Sequence, residues 1–175
     1  MEKNFILTEL LEKHQQFTAY VLSLPEADFL YAPPGKWSSG QQLDHVKRSI
    51  RPLVLALRLP KGILRLLFGT ANRPSKSYEE LVKKYQSKLE QAVTPPAPFR
   101  PDVIAFQGRN RVQTALQTTV RSVINALERW SEEDLDRYIL PHPLLGKITV
   151  REMMYFTIYH AQHHENLVKS YLAKR

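Results

Sequence analysis

The 175-residue chain has no cysteine. That absence excludes disulfide scaffolds, thiolate zinc sites, iron–sulfur clusters and cysteine nucleophiles, and leaves histidine, aspartate and glutamate as the side chains able to hold a metal. No segment of useful length alternates apolar and polar residues as a half-buried strand does, so no sheet is expected. There is no internal repeat and no low-complexity tract. The first residues show neither the basic and apolar regions of a signal peptide nor an Arg/Ser-rich transit pattern, and the expected location is cytoplasmic.

Acidic residues are missing over one stretch. From His45 to Tyr78 there are eight basic residues (Lys47, Arg48, Arg51, Arg58, Lys61, Arg65, Arg73 and Lys76) and no acid, which accounts for the whole net charge of +8. The basicity is local and points to a patch. Elsewhere the composition is that of an ordinary globular chain, 43% hydrophobic and 24% charged, and its length suits a single domain over residues 1–175.

Helical periodicity dominates what remains, and the chain reads as all-α. A first helix is expected over 4–23, with Ile6, Leu10, Phe17, Val21 and Leu24 on one face. A second is expected over 38–57, opened by Ser38 with Gln41 at the capping-box position and bent at Pro52. Prolines and glycines break the pattern between 59 and 106, where Ser77 and Glu80 open an accessory helix over 77–92 and Thr94–Pro98 form a stiff connector. Long helices follow over 107–130 and 149–172. Four amphipathic helices bury their stripes against one another as a four-helix bundle, and the connection of nearly 50 residues between the second and third is what a crossover needs if those two run parallel.

The fourth long helix carries Tyr159-His160-Ala161-Gln162-His163-His164-Glu165. At 100° per residue, His160 and His164 lie about 40° apart on the apolar stripe between Thr157 and Val168, a spacing at which two imidazoles can share one metal ion. A pair of core-edge histidines bonded to water or backbone would show the same spacing. His163 projects about 60° from His160 and reads as exposed. Periodicity does not choose a third ligand: His45 projects roughly 120° from the centre of its helix's buried face, while His14 lies within about 60° of the stripe on the first helix. His142, in Pro141-His142-Pro143, sits in a turn and is poorly placed to join.

The segment His142-Pro143-Leu144-Leu145-Gly146-Lys147-Ile148-Thr149-Val150-Arg151-Glu152, followed by His160 and His164, resembles the carboxy-terminal signature of the DinB/YfiT-like family: a His-Pro-x-x-Gly-x-Leu-Thr-x-x-Glu turn leading into a His-x-x-x-His helix. Trp37-Ser38-Ser39-Gly40-Gln41-Gln42-Leu43-Asp44-His45 is similar to the family's earlier block, a Trp-Ser helix start that ends on a histidine. Specific residues match in these two blocks; helix order and loop lengths match over nearly the whole chain. The resemblance implies an up-down-down-up four-helix bundle and a metal site built from His45, His160 and His164. One departure stands out: many relatives continue after the last histidine with Arg-Gly-Gln, where this chain has Glu165-Asn166-Leu167.

Three neutral imidazoles leave zinc or nickel with open positions, the arrangement of a catalytic site. Two chemistries follow on a small-molecule substrate. One is hydrolysis; the other is transfer by a low-molecular-weight thiol, as the family's thiol-dependent transferases imply. No general base is evident, since Asp44 and Glu165 each point about 100° from the neighbouring histidine and read as solvated charges. The rival class is a non-enzymatic module that uses the basic, apolar segment 45–78 to bind an anionic partner or membrane surface. Residues 53–68 are too short and too charged to span a bilayer, and no stable membrane association is expected. The basic run lacks a nucleic-acid-binding signature, and the apolar surface at 53–68 suits a homodimer.

Overall fold

Capping residues decide where the helices begin. The computed structural model describes residues 1–91 and 95–175. Its helices are α1 (Lys3–Ser23), α2 (Glu26–Leu30), α3 (Ser39–Arg58), α4 (Lys61–Phe68), α5 (Tyr78–Leu89), α6 (Arg109–Leu127), α7 (Glu132–Arg137) and α8 (Val150–Leu172). Ser38, Ser77, Ser131 and Thr149 each accept the backbone N–H three residues on, and Gln41, Glu80, Asp134 and Glu152 bond back to the cap, so α3, α5, α7 and α8 all open on complete capping boxes. The fold is mainly helical, as expected. α3 runs through Pro52 without interruption. The expected end of the accessory helix at Ala92 and the first residue of the connector, Thr94, lie outside the described residues; Ala97–Phe99 form a 3-10 turn.

The expectation of no sheet is overturned. Ile139–His142 (β1) and Gly146–Thr149 (β2) pair antiparallel, with Ile139 opposite Thr149 and His142 opposite Gly146. The strands are four residues long and one contains Pro141, too little for an alternation signal to emerge. Gly146 has φ +75°, a conformation that favours glycine. His142 Nδ1 accepts the N–H groups of both Leu144 and Leu145 at 3.1 Å. The hairpin therefore closes on a side chain as well as on its ladder.

Four long helices form the body. Ile6, Leu10, Phe17 and Val21 of α1, Leu43, Val46 and Ile50 of α3, Leu116 and Val123 of α6, and Met154 and Ile158 of α8 are all buried. Each such side chain taken from water contributes roughly 1.5–3 kcal/mol before conformational entropy is set against it. α3 packs on α6 and α8, and α1 on the same two helices. The start of α8 meets the start of the chain through Arg151, which donates to the Met1 carbonyl at 2.8 Å. Trp130, just past α6, donates its indole N–H to the Leu57 carbonyl near the end of α3 at 3.2 Å. Gly40 lies against the Phe29 ring so closely that a Cβ there would stand 2.7 Å from it.

The chain between α3 and α6 folds back over this body. Glu152, fully buried, accepts from Arg73 Nη1 and Nη2 at 2.7 and 2.9 Å and from the Lys76 N–H at 2.8 Å. Burial alone would raise this carboxyl, but Arg73 and the Lys76 and Thr149 amides outweigh it and hold it below its ordinary value. No helix among the described residues is long and apolar enough to cross a membrane. Four of the eight cations between 45 and 78 are committed to ion pairs: Lys47 and Arg48 with Asp44, Lys61 with Asp134, and Arg73 with Glu152.

Candidate metal centre

His45 enters from the first half of α3; His160 and His164 enter from α8, one turn apart. One ring nitrogen of each lies within 4.8 Å of the other two. His160 Nε2 stands 3.3 Å from His45 Nε2 and 2.9 Å from His164 Nε2. All three rings are buried.

The opposite nitrogens fix how these rings present themselves. His45 Nδ1 lies 2.6 Å from the Phe99 carbonyl, and His164 Nδ1 is hydrogen-bonded to Gln42 Oε1. Both partners are oxygens that only accept, so each Nδ1 carries the proton and each Nε2 turns a lone pair inward. Burial lowers the His45 pKa, against the smaller opposing effects of the Phe99 carbonyl and the Asp44 carboxylate. Burial pushes His160 and His164 well below the ordinary histidine value, and neighbouring histidines push them further. At neutral pH the cluster is a set of uncharged imidazoles.

That donor set fits a divalent cation. Four ligands at about 2.0–2.1 Å in tetrahedral array stand about 3.3 Å apart, the scale of the two Nε2 separations from His160. Among the described residues, these two inward lone pairs have no proton donor other than His160 to satisfy them. The walls are aromatic: Trp37 lies 4.9 Å from His45 and Phe156 4.7 Å from His160, centroid to centroid. Tyr85, brought over by α5, meets Phe156 at 5.1 Å and His160 at 6.4 Å.

Compared with known families, residues 9–168 match the model of the DinB superfamily. The chain belongs to the DinB superfamily. No curated protein and no solved structure matches it.

In this DinB-superfamily chain the signature blocks have visible structural work. Trp37 packs on His45, Ser38 caps α3, Gly40 admits Phe29, and His142 through Glu152 make the hairpin and start α8. His45 is buried although periodicity placed it off the buried face. The start of α3 is covered on several sides, by α2, by α8 and by the Ala97–Phe99 turn, so Gln42 to Val46 are buried without a break. The start of α3 is buried on more than one face.

Other expectations also change. Asp44, read as a solvated charge, is 1% exposed. Burial would raise its carboxyl, but Lys47, the Asp102 amide and Arg48 hold it below the ordinary value. It is occupied by those partners and not free to act as a base. Glu165 pairs with Lys169 at 2.5 Å. His163, expected to be exposed, is half-buried between Tyr85 and Tyr159. His142 is buried beside Phe156 at 4.2 Å, with Nδ1 already engaged. His14 stays apart from the cluster: its Nδ1 bonds the Leu10 carbonyl at 2.6 Å, and its buried Nε2 has no partner among the described residues.

Sequence reasoning missed Gln42 and Phe99. Gln42 lies three residues before His45, a spacing that puts them on neighbouring positions of the helix surface, and that signal was available. Phe99 acts through its carbonyl, which leaves no trace in a side-chain pattern.

Proposed function

We propose that this protein is a divalent-metal-dependent enzyme in which His45, His160 and His164 hold zinc or nickel and the remaining coordination positions face substrate. The observation that carries this reading is the pair of outer hydrogen bonds, to Phe99 and Gln42, which turns two lone pairs onto one buried point. Bound there, the ion would lower the pKa of a coordinated water or thiol towards neutrality.

Of the two chemistries, low-molecular-weight thiol transfer is the better supported and hydrolysis the second. Asp44 and Glu165, the acids next to the ligands in sequence, are tied to cations, and a thiol gives up its proton with less help from a base than water does. Trp37, Tyr85 and Phe156 offer flat apolar walls for an electrophilic substrate and keep water from the reacting atoms. We read the four long helices as an up-down-down-up bundle forming one domain. Gln42 bonding His164 supports α3 antiparallel to α8, and Trp130 bonding Leu57 supports α6 parallel to α3. A homodimer through the exposed Leu55, Ile63, Leu66 and Leu67 belongs to the same reading.

Elemental analysis of tag-free protein tests the site. We expect about one equivalent of zinc or nickel per chain, lost in His160→Ala and in His45→Ala. Retention of full metal by His45→Ala would overturn the ligand set. Activity with a small thiol and an aryl halide, absent from the metal-free protein, would support transfer over hydrolysis; activity on esters alone would reverse that order.

A further inference from the structure

A cavity of about 650 Å³ opens where α3 and α6 end, lined by Leu57 to Lys61 on one side and by Asn125, Ala126, Arg129 and Trp130 on the other. It is separate from the histidines: twelve residues at 1.5 Å each put Leu57 about 18 Å along α3 from His45. Its volume is that of a small-molecule cleft, on the order of 300–1,000 Å³.

The charge of its lining is one-sided. Arg58, Lys61 and Arg129 line it and no acid does. Lys61 is paired with Asp134 and lies over the Trp130 ring at 5.5 Å. Arg58 and Arg129 are exposed and stand in no ion pair among the described residues. One ordinary explanation is that they complement the C-terminal ends of α3 and α6. Each end carries about half a negative charge, and the start of α4 brings about half a positive one. With Asp134 set against Lys61, at least one positive charge remains over after both helix ends are satisfied. The walls are apolar: Leu59, Pro60 and Ala126 flank the cations, and Trp130 is held as a rigid panel by its bond to Leu57.

We propose that this cleft binds an amphiphilic anion, a carboxylate, sulfonate or phosphate ester carrying an aromatic or alkyl portion. Arg58 and Arg129 meet the charged head from opposite sides, and Leu59 and Pro60, backed by the buried Trp130 ring, take the apolar portion. The concave, cation-lined shape concentrates positive potential at the head-group position. This inference is independent of the metal centre and is read out without it.

The full-length protein titrated with 8-anilinonaphthalene-1-sulfonate, an aromatic sulfonate, is the test. We expect saturable fluorescence enhancement, weakened at least tenfold in the double variant Arg58→Gln/Arg129→Gln and less than twofold in Arg51→Gln/Arg65→Gln, which neutralises two cations of the same segment outside the cleft. Metal content should be unchanged in both, so that failure here is distinguishable from failure of the metal site. Equal weakening in the two double variants would mean diffuse surface attraction and would overturn the proposal, as would wild-type binding by Arg58→Gln/Arg129→Gln. Two further arms separate sources of the same chemistry. Displacement of the dye by monomeric dodecanoate indicates a free ligand, and cosedimentation with phosphatidylglycerol vesicles, lost in Arg58→Gln/Arg129→Gln, indicates a lipid head group. If neither arm responds while inorganic phosphate alone displaces the dye, the apolar half of the proposal fails.

Discussion

His45 and Phe99 are joined by one hydrogen bond, ring Nδ1 to backbone carbonyl at 2.6 Å, across 54 positions of sequence. The preceding residue repeats the connection: Asp44 accepts the Asp102 N–H at 2.9 Å and shares Arg48 with the Asp102 carboxylate. Two consecutive residues of α3 thus pin both ends of one short segment of the crossover. The segment that covers the histidines also orients one of them.

Gln42 should matter to metal affinity more than to folding. Gln42→Leu removes the acceptor that holds the His164 proton outward, and we expect roughly 10- to 100-fold weaker metal binding in competition with a chromophoric chelator. Gln42→Glu, which keeps an acceptor, should recover most of it.

Acid should destabilise the fold through its buried histidines. Burial lowers His14 and His142 to about 4 from an ordinary 6.5. The unfolded chain therefore takes up protons that the folded chain refuses, and stability falls as pH drops from about 6.5 towards 4. At pH 4.5 each residue would account for roughly 2.5 kcal/mol by linkage, an upper bound. Urea denaturation of the metal-free protein at pH 7 and 4.5 measures this, and His14→Leu should flatten the dependence without loss of stability at pH 7, since it also removes an unpartnered buried nitrogen.

Glu152→Ala should cost about 3 kcal/mol in chemical denaturation. It removes the cap partner of α8 and strands Arg73 and the Lys76 amide, although the partial exposure of Arg73 moderates the loss. Thr149→Ala, which loses the cap and a hydrogen bond to Ser75 but strands no charge, should cost about 1–2 kcal/mol.

Gly40→Ala places a methyl group against the Phe29 ring, and a shift in melting temperature equivalent to about 1–3 kcal/mol is expected.

Light scattering at micromolar concentration should give about twice the 20.3 kDa chain mass, and Leu66→Asp, at a side chain 85% exposed, should return it to that of the monomer.

Much of this was legible beforehand. Ser38 with Gln41 and Ser77 with Glu80 announced α3 and α5 because capping is local chemistry. Ser131 with Asp134 opens α7 in the same way, but a helix of six residues is too short to show a periodic stripe beside its cap. The hairpin escaped because its strands are short and Pro141 interrupts one. His160 and His164 were readable because they share one helix. His45 was not readable from periodicity, because its burial depends on a crossover that returns from 54 residues away.

The capping box at Thr149 also has a rotational consequence. His160 and His164 follow it by eleven and fifteen residues in one uninterrupted helix, so the residue at which α8 starts sets the direction of both rings. A single residue inserted between Glu152 and His160 would swing the pair by about 100° and advance it by about 1.5 Å, out of reach of His45. Held at its first turn by Arg73, Lys76 and the hairpin, α8 works as an indexed shaft whose angular setting is fixed at one end and used at the middle.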